Sequence, residues 1–177
     1  MTALSNGINL PLDKVGMNGP ISEVKDLHKT LIPEKDGGVL SDTGRVDFAF
    51  GPAPGVFSIV KSDSPTVIEE MEYLSMGEGP YYTLYRPYHL ASVEAPRSVG
   101  MAIINNEPGL QPKTWISEVV GHAKKDLEPG ETIDGIGGFS SYGVAYPVSD
   151  SKGLAPLGLL EGGTCLLYTS PSPRDRG

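Results

Sequence analysis

The densest set of reactive side chains lies in Tyr81-Tyr82-Thr83-Leu84-Tyr85-Arg86-Pro87-Tyr88-His89-Leu90, which brings a guanidinium, an imidazole and several phenols into one short segment. Arg86 carries the planar fork that clamps a carboxylate or phosphate. His89 can donate to a substrate oxygen or shuttle a proton. Tyr82, Tyr85 and, less directly, Tyr88 add hydroxyls that orient a polar ligand. These residues are the candidate substrate site, although the same side chains suit a structural purpose too. In that reading Arg86 pairs with Glu94 or Glu78 and the tyrosines fill core. Lys25-Asp26-Leu27-His28-Lys29 offers the lysine and carboxylate types that move protons in hydroxy-carbonyl dehydrogenases. Neighbours on a short helix do not face one site, so a solvated surface is expected there. His28, His89 and His122 lack metal-ligand spacing, and no metal site is expected.

A strand running into a helix positions the first segment. Tyr81 to Arg86 reads as an aromatic strand after the turn Gly77-Glu78-Gly79-Pro80, and Pro87 opens a helix towards Ile104, disturbed by Pro96. The clearest helix precedes it. Ser64 can cap, Pro65 suits the first helical position, and Val67, Ile68, Met71 and Leu74 share a face. Upstream, residues 45–50 and 55–60 read as two strands of a half-buried antiparallel sheet joined by Gly51-Pro52-Ala53-Pro54. A short helix is predicted over 21–31, with Ser22 as cap and Pro33 beyond its end. Asn6-Gly7 reads as the stop of a helix. A boundary is placed near Lys113, with a strand over 117–123 and a β-rich unit beyond, punctuated by Pro129-Gly130 and Gly135-Ile136-Gly137-Gly138. The expected fold class is α+β: a mixed or antiparallel sheet with a few helices, then a β-rich unit.

Glycine (23) and proline (16) are spread along the 177 residues, which favours short elements over a helical bundle. A formal charge of −8 argues against a nucleic-acid binder, because phosphate neutralisation needs clustered Lys and Arg. His122-Ala123-Lys124-Lys125 is flanked by Asp126, Glu128 and Glu131 and reads as a solvated turn. Nothing approaches about 18 apolar residues in a row, and no signal peptide is visible, so no membrane partner is expected and the cytoplasm is the expected location. Gly135 to Ser140 is the nearest approach to a dinucleotide fingerprint. It follows no evident strand and opens no amphipathic helix, so it reads as a turn.

The run Cys165-Leu166-Leu167-Tyr168-Thr169-Ser170-Pro171-Ser172-Pro173-Arg174-Asp175 changes character abruptly and matches the translation of a transposase sequencing adapter. Residues 165–177 are therefore expected to be a non-native tail, with the natural protein continuing past about Thr164. The only cysteine, Cys165, falls in that tail, so no disulfide or thiolate chemistry is expected.

With Gly79-Pro80-Tyr81-Tyr82-Thr83-Leu84-Tyr85-Arg86-Pro87-Tyr88-His89-Leu90 and the stretch from Ala123 to Gly138, residues 1–161 resemble homoserine-dehydrogenase-like oxidoreductases with a C-terminal SAF domain, a small β-clip module. The resemblance implies a catalytic or substrate domain over 1–112, a partial SAF domain over 113–164 and a nucleotide-binding Rossmann domain before Met1. It implies NAD or NADP in the intact protein, none held by this fragment alone, and a small polar hydroxy or oxo compound as substrate. The lysine and carboxylate of true homoserine dehydrogenases have no match here, so the catalytic residues are not identified, and the fragment is expected to be inactive. Homo-oligomerisation stays open. The rival reading is a SAF-type carbohydrate or sugar-acid binding module without catalysis.

Overall fold

The computed structural model describes residues 1–87, 91–135 and 137–163. Among them are helices α1 (Thr2–Ile8), α2 (Leu27–Thr30), α3 (Pro65–Tyr73) and α4 (Ala91–Ile104) and strands β1 (Gly55–Lys61), β2 (Tyr81–Pro87), β3 (Ser117–Ala123) and β4 (Ser141–Pro147). β1 pairs with β2 and β3 with β4, both antiparallel, in two separate ribbons. The fold is α+β. No helix among the described residues is long and apolar enough to cross a membrane.

A two-stranded ribbon is marginal in water and has to lean on something else. The β1–β2 ribbon leans on Leu27, Leu31 and Leu40, with Phe57 and Ile59 of β1 alternating onto that cluster beside Val24, Val39 and Ala49. The β3–β4 ribbon is covered by the 3₁₀ turn Leu157–Leu159. The cover is close: a Cβ at Gly121 would lie 2.0 Å from Leu160, and one at Gly143 would lie 2.7 Å from Leu157.

Residues 10–50 contain little regular structure, so their backbone polar groups need side-chain partners. Asp47 is the main one. Its carboxylate accepts from the backbone N–H of Asn18 at 3.0 Å, Gly19 at 3.0 Å and Phe48 at 2.8 Å, and from Asn18 Nδ2 at 2.9 Å. Asn18 Nδ2 also donates to Asp13 at 2.8 Å, and Asp13 accepts from the Ser41 N–H at 2.9 Å and from its hydroxyl. Burial pushes the Asp13 carboxyl up. The hydrogen bonds from Ser41 and Asn18, with the Arg45 charge, outweigh burial and hold it below its ordinary value.

The strand pair expected over 45–60 does not form. Val46 and Phe50 make single parallel bridges to Leu12 and Ile21, and β1 takes β2 as its partner. Pro52 and Pro54 cannot donate to a ladder. Gly51 packs so tightly on Ser22 that a Cβ would lie 2.6 Å from the Ser22 carbonyl, so the chain turns towards Ser22 and not into a hairpin. Ser22 is no helix cap either: its hydroxyl meets Glu23 O and Thr30 Oγ1, both at 3.2 Å. The predicted 21–31 helix is a 3₁₀ turn, Val24–Asp26, running into α2. Ser64 likewise makes no side-chain cap bond, although Pro65 does open α3. Val67 and Leu74, two of the four residues read as one apolar face, are exposed, and Leu74 lies just past the end of α3. α1 runs past Asn6-Gly7 and stops at Asn9, whose φ of 58° is left-handed. His122 belongs to β3 and not to a turn.

Asn6 joins the first helix to the C-terminal ribbon. Its Oδ1 accepts from the N–H groups of Ile116 and Ser117, both at 3.0 Å, and its Nδ2 donates to Ser117 O at 3.0 Å. Its carbonyl accepts from Lys113 and Thr114. Gly7 follows because a Cβ there would lie 2.5 Å from Leu110.

Asp47→Ala is expected to lower stability by about 2–4 kcal/mol in urea denaturation, because several N–H donors lose one charged acceptor. Asn6→Ala is expected to cost about 1–3 kcal/mol and to accelerate amide exchange at Ile116 and Ser117 before other sites. Uniform exchange in that variant would contradict the role given to Asn6.

Candidate active site

The pleat of β2 sends consecutive side chains to opposite faces. In register with β1, Tyr81 sits opposite Lys61, Tyr82 opposite Val60, Tyr85 opposite Phe57 and Arg86 opposite Val56. Those of the sequence-derived site residues that are described have separate surroundings. Arg86 points outward and pairs with Glu94 in a mostly exposed ion pair, the structural alternative foreseen for it. The Tyr85 hydroxyl donates to Ala53 O at 2.7 Å. Tyr82 is fully buried, and its hydroxyl lies beneath Gly79, where a Cβ would come within 2.2 Å of it. That hydroxyl has no hydrogen-bond partner among the described residues. Tyr88 and His89 lie outside the described residues.

Tyr81, the first residue of the motif, has the most developed surroundings. Its hydroxyl donates to Asp36 Oδ2 at 2.6 Å, and Lys61 Nζ lies 5.3 Å from its ring centroid. Asp36 is brought there by the turn Pro33 to Leu40, closed by Glu34 N–H to Leu40 O at 2.7 Å and Leu40 N–H to Ile32 O at 3.0 Å. Two glycines permit that turn. Gly37 has a φ of 99°, and a Cβ at Gly38 would lie 2.1 Å from Ile32 O.

Together with His28, Lys29 and Glu78, Asp36 and Tyr81 line an open cleft of about 750 Å³. His28 comes from α2, Glu78 from the turn before β2. His28 is half-buried, and neither it nor Glu78 has a hydrogen bond or ion pair among the described residues. An imidazole and a carboxylate without partners among the described residues are available to a ligand hydroxyl or carbonyl. No local spacing relates residues 28 and 36 to residues 78 and 81. Tyr81 stood in the 81–90 segment and His28 in the Lys25–Lys29 segment, whereas Asp36 stood in neither.

Lys25 is no acid or base for this site. It pairs with Glu23 at 2.9 Å in solvent, and that hydrogen bond raises its pKa, the wrong direction for a catalytic lysine. Asp26 pairs with Lys29 at 3.7 Å, also near the surface.

The described part of the turn after Asp134 offers no phosphate cradle. The turn following Asp134 folds onto that residue's own carboxylate, which accepts from Phe139 N–H and, at 3.0 Å, from Ser140 N–H. The N–H groups that would greet a phosphate are thus engaged by an anion. Hydrogen bonds from the Ser140 hydroxyl and these two N–H groups hold the Asp134 carboxyl at about 2. Ile136 lies outside the described residues.

A family model described as the catalytic domain of oxidoreductase DRL matches residues 1–95. Every cleft residue named above falls inside that span. No curated protein matches the chain.

The hydrogen bond to Asp36, followed by burial, raises the Tyr81 hydroxyl to about 12. Folded Tyr81 keeps its proton where an unfolded tyrosine releases it. Its contribution to stability is therefore intact below pH 10.0 and lost as pH rises through about 12. Alkaline titration by phenolate absorbance should show one late transition that Tyr81→Phe removes and Asp36→Asn moves to lower pH. An unchanged late transition in Asp36→Asn would disprove the pairing.

Proposed function

The chain belongs to the family of the oxidoreductase DRL catalytic domain, and from that premise we propose a homoserine-dehydrogenase-like reaction for the intact, cytoplasmic protein. It transfers a hydride between NAD or NADP and a small polar hydroxy or oxo compound. The compound docks in the cleft of His28, Asp36, Glu78 and Tyr81. The family match carries this reading. The grouping of acid and base side chains inside the matched residues agrees with it.

Interconversion of a hydroxyl and a carbonyl moves one proton at the oxygen, and this cleft supplies the groups for that step. His28, without a partner among the described residues, holds or accepts the proton at its imidazole. Tyr81, kept protonated by Asp36, orients the substrate oxygen and does not act as a base. Arg86, opposite Val56 and engaged with Glu94, is left outside this assignment. The nucleotide is held by residues beyond those described, in a Rossmann domain, and the β3–β4 ribbon opens a SAF domain. The rival reading of a binding module without catalysis has no comparable support, since the match is to a catalytic domain.

The test is consumption of NADH or NADPH by the intact protein across a panel of small hydroxy-aldehydes and hydroxy-ketones. His28→Gln is expected to lower kcat by about 10²–10⁴, while the 177-residue chain alone shows no turnover. If neither nucleotide is consumed with any compound, the dehydrogenase reading fails. If His28→Gln turns over at the parent rate, the reaction lies elsewhere.

A further inference from the structure

We propose that a second cleft, on the other side of Tyr81, binds a short-chain aliphatic carboxylate with its carboxylate on Arg45 and its tail among apolar side chains. The cleft measures about 300 Å³, at the lower end of the range for small-molecule sites. Leu4 and Ile8 of α1, Leu31, Leu40, and Phe57 and Ile59 of β1 form its apolar walls. It shares only Ile32 and Tyr81 with the polar cleft.

Three charged residues line it: Arg45, Asp47 and Lys61. Asp47 is already saturated by donors from Asn18, Gly19 and Phe48. Lys61 lies 3.9 Å from Asp63 and against the Tyr81 ring. Arg45 is different. Its side chain is 27% exposed, and Nε lies 3.5 Å from Asp13 Oδ1. That contact is an ion pair without a hydrogen bond, and Nε is buried with no acceptor. Asp13 is turned towards Ser41 and Asn18. No described residue accepts a hydrogen bond from the Arg45 guanidinium.

Only Nε of Arg45 is buried, and an acceptor in the cleft would give the remaining donors of the guanidinium charge-assisted bonds that no described residue supplies. Carboxylate matches its planar fork with two parallel bonds. The apolar walls select the rest of the ligand. A phosphorylated or polyhydroxylated compound would bring polar groups to Leu31, Leu40 and Ile59 with nothing to satisfy them. A tail of a few methylenes fills that space. The site goes beyond the proposed reaction, because it needs neither nucleotide nor turnover, and it adjoins the active cleft only at Ile32 and Tyr81.

The experiment is calorimetric titration of the 177-residue chain with hexanoate and, separately, with hexanol. Hexanoate is expected to bind one per chain and hexanol at least about tenfold more weakly, as loss of a charge-assisted hydrogen bond requires. Arg45→Leu should reduce hexanoate to the level of hexanol, and Arg45→Lys should restore part of the difference. Ile8→Trp changes an exposed helix position and fills the cleft without touching Arg45, so it should abolish hexanoate binding even if Arg45→Leu fails to fold. Equal affinity for the two ligands, no hexanoate binding, or hexanoate binding unchanged by Ile8→Trp would overturn the proposal. Because the readout is binding, it is independent of any dehydrogenase activity.

Discussion

The carboxylate of Asp47 is the contact on which the first fifty residues depend. Between Leu10 and Phe50 the only strand-like pairings are single parallel bridges, Leu12 to Val46 and Ile21 to Phe50, with one at the closed turn from Pro33 to Leu40. A chain so short of ladders must satisfy its N–H groups with side chains or lose them to water. Asp47 gathers the N–H groups of Asn18, Gly19 and Phe48, and Asn18 carries the network on to Asp13, which holds Ser41. One amide and two carboxylates therefore join three separate stretches of chain. The Leu27, Leu31 and Leu40 cluster rests inside that frame, and β1 rests on the cluster.

Placement of β1 decides what β2 can do. With β1 seated through Phe57 and Ile59, the antiparallel register puts Tyr81 at the end of the ribbon nearest the Pro33–Leu40 turn. There it meets Asp36 and separates two clefts of opposite character. One is edged by His28, Lys29, Asp36 and Glu78 and is open to water. The other is walled by aliphatic and aromatic side chains, with Arg45 as its cation. The same register turns Arg86 outward to Glu94 and Tyr82 under Gly79, so neighbouring residues of one motif serve unrelated ends.

The C-terminal ribbon obeys the same rule of side chains standing in for missing ladders. Asn6 presents a carbonyl oxygen to two backbone N–H groups at the entry to β3, and Asp134 does so for Phe139 and Ser140 just before β4. In both cases one short polar side chain ties a loop to a strand end. The glycines around them, Gly7, Gly121 and Gly143, leave room for Leu110, Leu160 and Leu157 to close over the backbone.

Local signals in the sequence determined much of the element list. Pro65 and the 3.6-residue period of Val67, Ile68, Met71 and Leu74 gave α3, and the aromatic run after Gly79-Pro80 gave β2. Ser117 to Ala123 was legible as β3. The period-two pattern of Tyr142, Val144 and Tyr146 carried the same signal for β4, although the glycine-rich turns before it obscured it. The mixture of short helices and strands indicated the α+β class, and the 79–90 motif, inside the matched residues 1–95, pointed to an oxidoreductase family. Tertiary structure alone decided which strand pairs with which and which side chains share a cleft. His28 and Asp36 are distant in sequence from Glu78 and Tyr81, and the two pairs meet because a hydrophobic cluster and two glycines bend the chain between them. Periodicity reports the face of an element that is apolar; it holds no information on which distant carboxylate will lie against a given phenol.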